Sequence, residues 1–184
     1  MALEHVNTIL TELSNTLASV DGKSVEKLTA MLVEAKSVFC HGAGRSGLNA
    51  RAFAMRLMHL GMHACIVGDV LVPPIAQGDV LVVVTASGSS PALAYVVKKA
   101  KDCGARIAVL TTNANAPVCE FAECVICFKA PTKAEEGVNR SSVMPMGTLF
   151  EEACYVLLDM VILELMEKLN ITNSDMVRHH ANLE

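Results

Sequence analysis

The sequence alternates short β-like runs, apolar at their centres, with stretches of helical spacing. "SVFCHG", "ACIVG", "DVLVVVTAS", "RIAVLTT" and "CVICF" are the runs. Helix-like segments from Leu48 to Leu60, Pro91 to Cys103 and, more briefly, Ala116 to Ala122 fall between them. A strand that is apolar at every position is covered on both faces, the usual result of helical crossovers that return strands in parallel. The pattern therefore predicts an α/β chain: a three-layer α/β/α sandwich on a five-stranded parallel sheet, flavodoxin-like or Rossmann-like. Two helices lead, within residues 1–36, because Leu3, Val6, Ile9, Leu10, Leu13, Leu17 and Val20 recur at helical spacing and "SVEKLTAMLVEA" repeats the pattern after Asp21-Gly22. A loop is expected from Lys129 to Pro145. A long helix follows, about Thr148 to Leu169, apolar on nearly every face, and then a polar tail, 170–184.

At 184 residues with no compositional break, the chain reads as one domain, 1–184. Its most apolar long segment, "ACYVLLDMVILELM", contains Asp159 and Glu164 and is too short to span a bilayer. The N-terminus has neither the basic flank nor the continuous apolar core of a secretory signal, so a cytoplasmic location without membrane association is expected. An apolar fraction of 52% then predicts surface buried between subunits, with the tail packing on a neighbour. A net charge of −4 with scattered Lys and Arg argues against nucleic acid as a partner. Lys98, Lys99 and Lys101 read as a solvated helix face. The seven cysteines, odd in number and mostly among apolar neighbours, read as reduced core residues. In "CVIC", Cys124 and Cys127 would point to opposite faces of a strand, so no metal site is expected there.

Ligands of an open parallel sheet sit at the carboxyl ends of its strands. Two loops belong at that edge. "HGAGRSG", with Gly44, Arg45 and Ser46, follows the first strand. "TASGSSP" follows a central strand and opens the Pro91 helix. Glycine lets backbone amides approach an anion, and a helix N-terminus adds partial positive charge, so such units hold phosphate without lysine. The hydroxyls of Thr85, Ser87, Ser89 and Ser90, around Ala86 and Gly88, are candidate donors to phosphate. The bland alternative is a serine-rich cap and turn. "GAGRSG" also fits the G-x-G-x-x-G dinucleotide fingerprint, with Asp69 placed as a ribose-binding acid. Under that reading the hydroxyl cluster has no task.

With both loops in place, the chain resembles the SIS (sugar isomerase) domain family, and within it the 6-phospho-3-hexuloisomerases. "GAGRSGLNARAFAMRLMHLGMHACIVGD", "TASGSSP", "PMGTLFEEACYVLLDMVILELMEKL" and "RHHANLE" carry the resemblance over nearly the whole chain. It implies interconversion of D-arabino-hex-3-ulose 6-phosphate and D-fructose 6-phosphate in the ribulose monophosphate pathway, without metal or organic cofactor. It also implies a homotetramer whose active sites are shared between subunits. By the same resemblance, Ser46 and Thr85 to Ser90 hold phosphate, Arg45 lies along the substrate, Glu151 is the general base, and His180 reaches a site in an adjoining chain. The family loop usually reads S-G-S-G-E-T, so Ser89 stands where a glutamate is common. Other SIS isomerases acting on pentose or heptose phosphates, and non-catalytic phosphosugar sensors, share the phosphate-binding features.

Moving a ketone between C3 and C2 needs one carboxylate to shuttle a proton through a 2,3-enediol. Glu151 lies among Met146, Leu149, Phe150 and Ala153; Glu152 is expected to face solvent, although sequence alone leaves open which of the two points inward. Thr148-x-x-Glu151 also fits a capping box, which would tie the carboxylate to the helix start. His180 beside His179 in a polar tail is, taken alone, an ordinary exposed histidine. His59 and His41 are outside candidates, and Arg45 either meets substrate or pairs with an acid such as Asp69.

Overall fold

The computed structural model describes residues 2–134 and 141–183, so part of the loop expected over 129–145 and both terminal residues lie outside the described residues. Five parallel strands form one sheet: β1 (Val38–Gly42), β2 (Ala64–Ile66), β3 (Val80–Val84), β4 (Arg106–Thr111) and β5 (Cys124–Cys127), in the order β2-β1-β3-β4-β5. All five coincide with the apolar runs.

Two separate cores explain why β3 is apolar throughout. Val80, Val82 and Val84 turn to one side, where they meet α2 (Gly22–Val33), α3 (Gly44–His59) and α5 (Thr148–Leu169) through Leu28, Leu32, Phe53, Leu57, Phe150 and Leu157. Leu81 and Val83 turn to the other, where α4 (Pro91–Asp102) covers them with Leu93 and Val97. Alternate residues of a strand face opposite sides, so a central strand here has no polar face to offer. All five β3 residues are buried, and each large side chain contributes about 1.5–3 kcal/mol by leaving water.

The leading helix α1 (Ala2–Ala18) leans on α5 through Leu13 and Leu17. Near its middle, Glu12 accepts the Ser142 hydroxyl at 2.6 Å and the Val143 amide at 3.0 Å, tethering the segment that leads into α5. A short helix α6 (Asn173–Arg178) closes the chain. Ile171 and Met176 of the tail pack on this chain's own core, while Val177 and Leu183 stay exposed.

Two expectations shift in detail. The first crossover helix starts at Gly44, inside the glycine loop, four residues before the predicted Leu48. The segment predicted helical over Ala116 to Ala122 forms only a single 3-10 turn, Pro117–Cys119. So short a piece cannot recover the cost of helix nucleation without tertiary support.

Candidate active site

Gly42 at the end of β1 is in register with Val84 at the end of β3, so the chain leaves two adjacent strands at neighbouring points on the same edge of the sheet. From β1 it turns at once into α3. A Cβ on Gly42 would lie 2.8 Å from the Val84 carbonyl oxygen, and one on Gly47 would lie 2.7 Å from the Gly42 carbonyl oxygen. Only bare backbone fits there, which seats the first turn of α3 against the end of β3. Ala43 at the helix start makes no side-chain cap, and Ser46 is buried in that first turn.

The second loop is pinned to β4. The Ala86 carbonyl accepts the Thr111 and Thr112 hydroxyls, each at 2.9 Å, and the Thr112 amide at 2.9 Å. The four candidate hydroxyls then divide. Thr85 is buried and accepts the Gly88 amide at 3.2 Å, and Ser90 accepts the Leu93 amide as the cap of α4. Both hold the loop in shape. Ser87 and Ser89 are exposed, with hydroxyl oxygens 2.9 Å apart, and they face outward beside Pro91, which takes the first helical position as expected. The sequence assigns one task to four hydroxyls; exposure separates them, since Ser87 Oγ also accepts the Ser89 amide, at 3.4 Å, yet stays open to solvent.

Glu151 is not tied up in a capping box. Gly147 stands at the start of α5 and makes no side-chain cap, which places Thr148 inside the helix. The Glu151 carboxylate instead meets Arg45, whose Nε donates to its Oε2 at 2.5 Å, while Arg45 Nη2 donates to Glu152 Oε1 at 3.1 Å. The Glu151 side chain is 17% exposed and that of Glu152 49%, so Glu151 is the inward one. Arg45 therefore pairs with neither Asp69 nor any other acid of the β2 side. Asp69 receives a two-pronged bond from Arg51, at 2.7 and 3.2 Å. That engagement occupies the acid which a dinucleotide site would need for ribose.

Asn49 was not singled out from the sequence. One turn beyond Arg45 on α3, it is buried and donates from Nδ2 to the Glu151 carbonyl at 2.6 Å. Arg45 and Asn49 thus hold Glu151 by its side chain and its main chain together. A polar residue four positions from Arg45 on a core-facing helix was the available signal.

The histidines lie elsewhere. His180 stacks on His59, with ring centroids 5.2 Å apart, and His179 Nδ1 donates to the His59 carbonyl at 2.9 Å. Arg56 Nη1 lies 3.2 Å from His59 Nδ1, and since arginine only donates, that ring nitrogen is the acceptor. Arg56, His59 and His180 border a cavity of about 400 Å³ with Asp159, Asn173 and Met176. His59 is at the opposite end of α3 from Arg45, about 20 Å along the helix axis at the usual rise per residue. A single chain therefore does not bring His180 to Glu151. His41 on β1 is half-buried, and burial holds its ring below the ordinary histidine range.

A strand edge with two helix starts, exposed hydroxyls and an arginine–carboxylate pair is the geometry of an anion site with an acid–base group beside it. Residues 31–153 match the family model for the SIS domain. The chain belongs to the SIS family. This SIS domain is 39% identical to the 3-hexulose-6-phosphate isomerase of Bacillus subtilis, covering 98% of each chain. It is 36% identical to the enzyme of the same name from Mycobacterium gastri, over 98% of this chain and 90% of that one. Among solved structures, it is similar to a Methanococcus jannaschii protein whose structure led to an inferred 3-hexulose-6-phosphate isomerase function. That match has a TM-score of 0.85 at 32% identity, covering 98% of this chain and 99% of the other.

Proposed function

We propose that this SIS-domain chain is an isomerase that interconverts D-arabino-hex-3-ulose 6-phosphate and D-fructose 6-phosphate. The observation that carries the reading is the position of Glu151: an inward carboxylate set by Arg45 and Asn49 at the edge where the two phosphate-type loops emerge. The names of the relatives supply the substrate.

In the direction toward fructose 6-phosphate, Glu151 takes the C2 proton and the C2–H electrons become the C2–C3 double bond. The C3 carbonyl oxygen gains a proton, giving the 2,3-enediol. Glu151 then delivers its proton to C3 as the C2 hydroxyl loses its own and becomes the ketone. Ser87, Ser89 and the first-turn backbone of α3 hold the phosphate, with Ser46 behind them, and Arg45 lies along the substrate. His180 serves the oxygen protons in the site of a second copy, in keeping with its place about 20 Å from Arg45 along α3 in its own chain.

The exposed apolar residues Met55 on α3 and Tyr155, Met160 and Leu163 on α5 support assembly into a homotetramer. Among the described residues no helix is long and apolar enough to cross a membrane. We place the enzyme in the cytoplasm, where its seven free thiols stay reduced.

Purified protein incubated with fructose 6-phosphate in D2O is expected to form the 3-ketose and to exchange the C3 hydrogen, followed by proton NMR. Glu151→Gln abolishes both and Glu152→Gln keeps exchange measurable. Binding without exchange in the wild type would mean a phosphosugar sensor, and preferred turnover of a pentose or heptose phosphate would mean a different SIS isomerase.

A further inference from the structure

A carboxylate engaged by a guanidinium is a poor base toward carbon, because the charge-assisted bond must be given up before the oxygen accepts a proton. Glu151 is in that condition, with Arg45 Nε on its Oε2. The same guanidinium has a second hold, from Nη2 to Glu152 Oε1, so it can leave Glu151 and remain attached. Arg45 is 57% exposed, so solvent offsets part of the cost of turning its guanidinium from one carboxylate toward another anion. It also directly precedes Ser46, on the loop that emerges beside Ser87 and Ser89. Two negative charges held at that edge compete with Glu151 for the one guanidinium.

We propose that Arg45 determines specificity by making proton abstraction conditional on a bound phosphate dianion. With the loops empty, Arg45 masks Glu151. With phosphate present, the guanidinium turns toward the dianion and keeps its contact to Glu152, and the Glu151 carboxylate is released to the sugar carbon. Preference for phosphorylated ketoses then arises in the chemical step as well as in binding. The inference rests on Glu151 being the proton-transfer group.

The test separates the phosphate from the sugar. D-Fructose, which carries no phosphate, is incubated with the full-length protein in D2O, with and without inorganic phosphate. Phosphate is expected to speed C3 hydrogen exchange by about tenfold or more, the effect of releasing one charge-assisted contact. Arg45→Gln is expected to lose that gain. In parallel, the Arg45 Nε–H resonance, assigned by its loss in Arg45→Gln, is expected to move on titration with inorganic phosphate. Wild-type protein that exchanges fructose 6-phosphate, yet shows neither the gain with fructose nor a shift of that resonance while the Ser87 amide reports phosphate binding, overturns the inference and leaves Glu151 in place. Exchange of fructose 6-phosphate by Glu151→Gln would instead remove the base, and the mask with it.

Discussion

Gly44 and Gly88 both take positive φ, +57° and +63°, but they stand in different surroundings. A Cβ on Gly44 meets nothing within 4 Å, whereas one on Gly88 runs into Ala116 Cβ and lies 2.7 Å from Val118 Cγ1. Gly44→Ala therefore costs only left-handed strain, about 1–2 kcal/mol. Gly88→Ala adds overpacking against a buried wall, about 1–3 kcal/mol more. Denaturant unfolding of the two variants checks this, with the larger loss expected for Gly88→Ala; equal losses would mean the hydroxyl loop yields easily. At this scale the sequence was most informative about residue types. It placed Arg45, Ser87 and Glu151 as candidates, yet the partners of Arg45 came from α5, more than a hundred residues away, and no local spacing encodes such a pair.

Among the elements, α6 is the one most dependent on its ends. Six residues cannot form a stable helix alone, and here a capping box holds it: the Thr172 hydroxyl accepts the Asp175 amide while Asp175 Oδ2 accepts the Thr172 amide at 2.9 Å. Bonds from the Thr172 hydroxyl and amide hold the Asp175 carboxyl below its ordinary value of 3.8. The ionised form is favoured by the fold, so the contribution is present above that value and is lost as pH falls below it. Thr172→Ala is expected to increase local opening of 173–180 several-fold, read by amide hydrogen exchange, and the wild-type tail is expected to loosen in the same way in acid. Unchanged exchange in Thr172→Ala would assign the tail's order to Ile171 and Met176 instead. Helix periodicity found α3, α4 and α5, but the start of α3 was missed by four residues. Glycine and serine favour turns in isolation, and only the close approach of Gly42 and Gly47 turns that loop into a first helical turn.

For the molecule as a whole, the decisive feature is a face that one chain leaves uncovered. Met55, Tyr155, Met160 and Leu163 are exposed on α3 and α5, and Leu163 is 60% exposed although it lies near the His59–His180 cavity. Leu163→Glu is expected to yield smaller species than the wild type in light scattering coupled to size exclusion, and to lower turnover with them. A wild-type monomer with full activity would sink the shared-site reading, because His180 would then have to cross about 20 Å of α3 to reach Glu151.

Layer order and the chemistry of the sheet edge follow from the pattern of residues along the chain. Apolar strands between helices admit few architectures, and a run of small hydroxyls after a buried strand has few uses. Which hydroxyls stay exposed, which glutamate turns inward and what Arg45 binds emerge only once the chain has folded. Those outcomes depend on contacts between α3, α5 and β4, whose residues are far apart in the chain and meet only when the two cores close around the sheet.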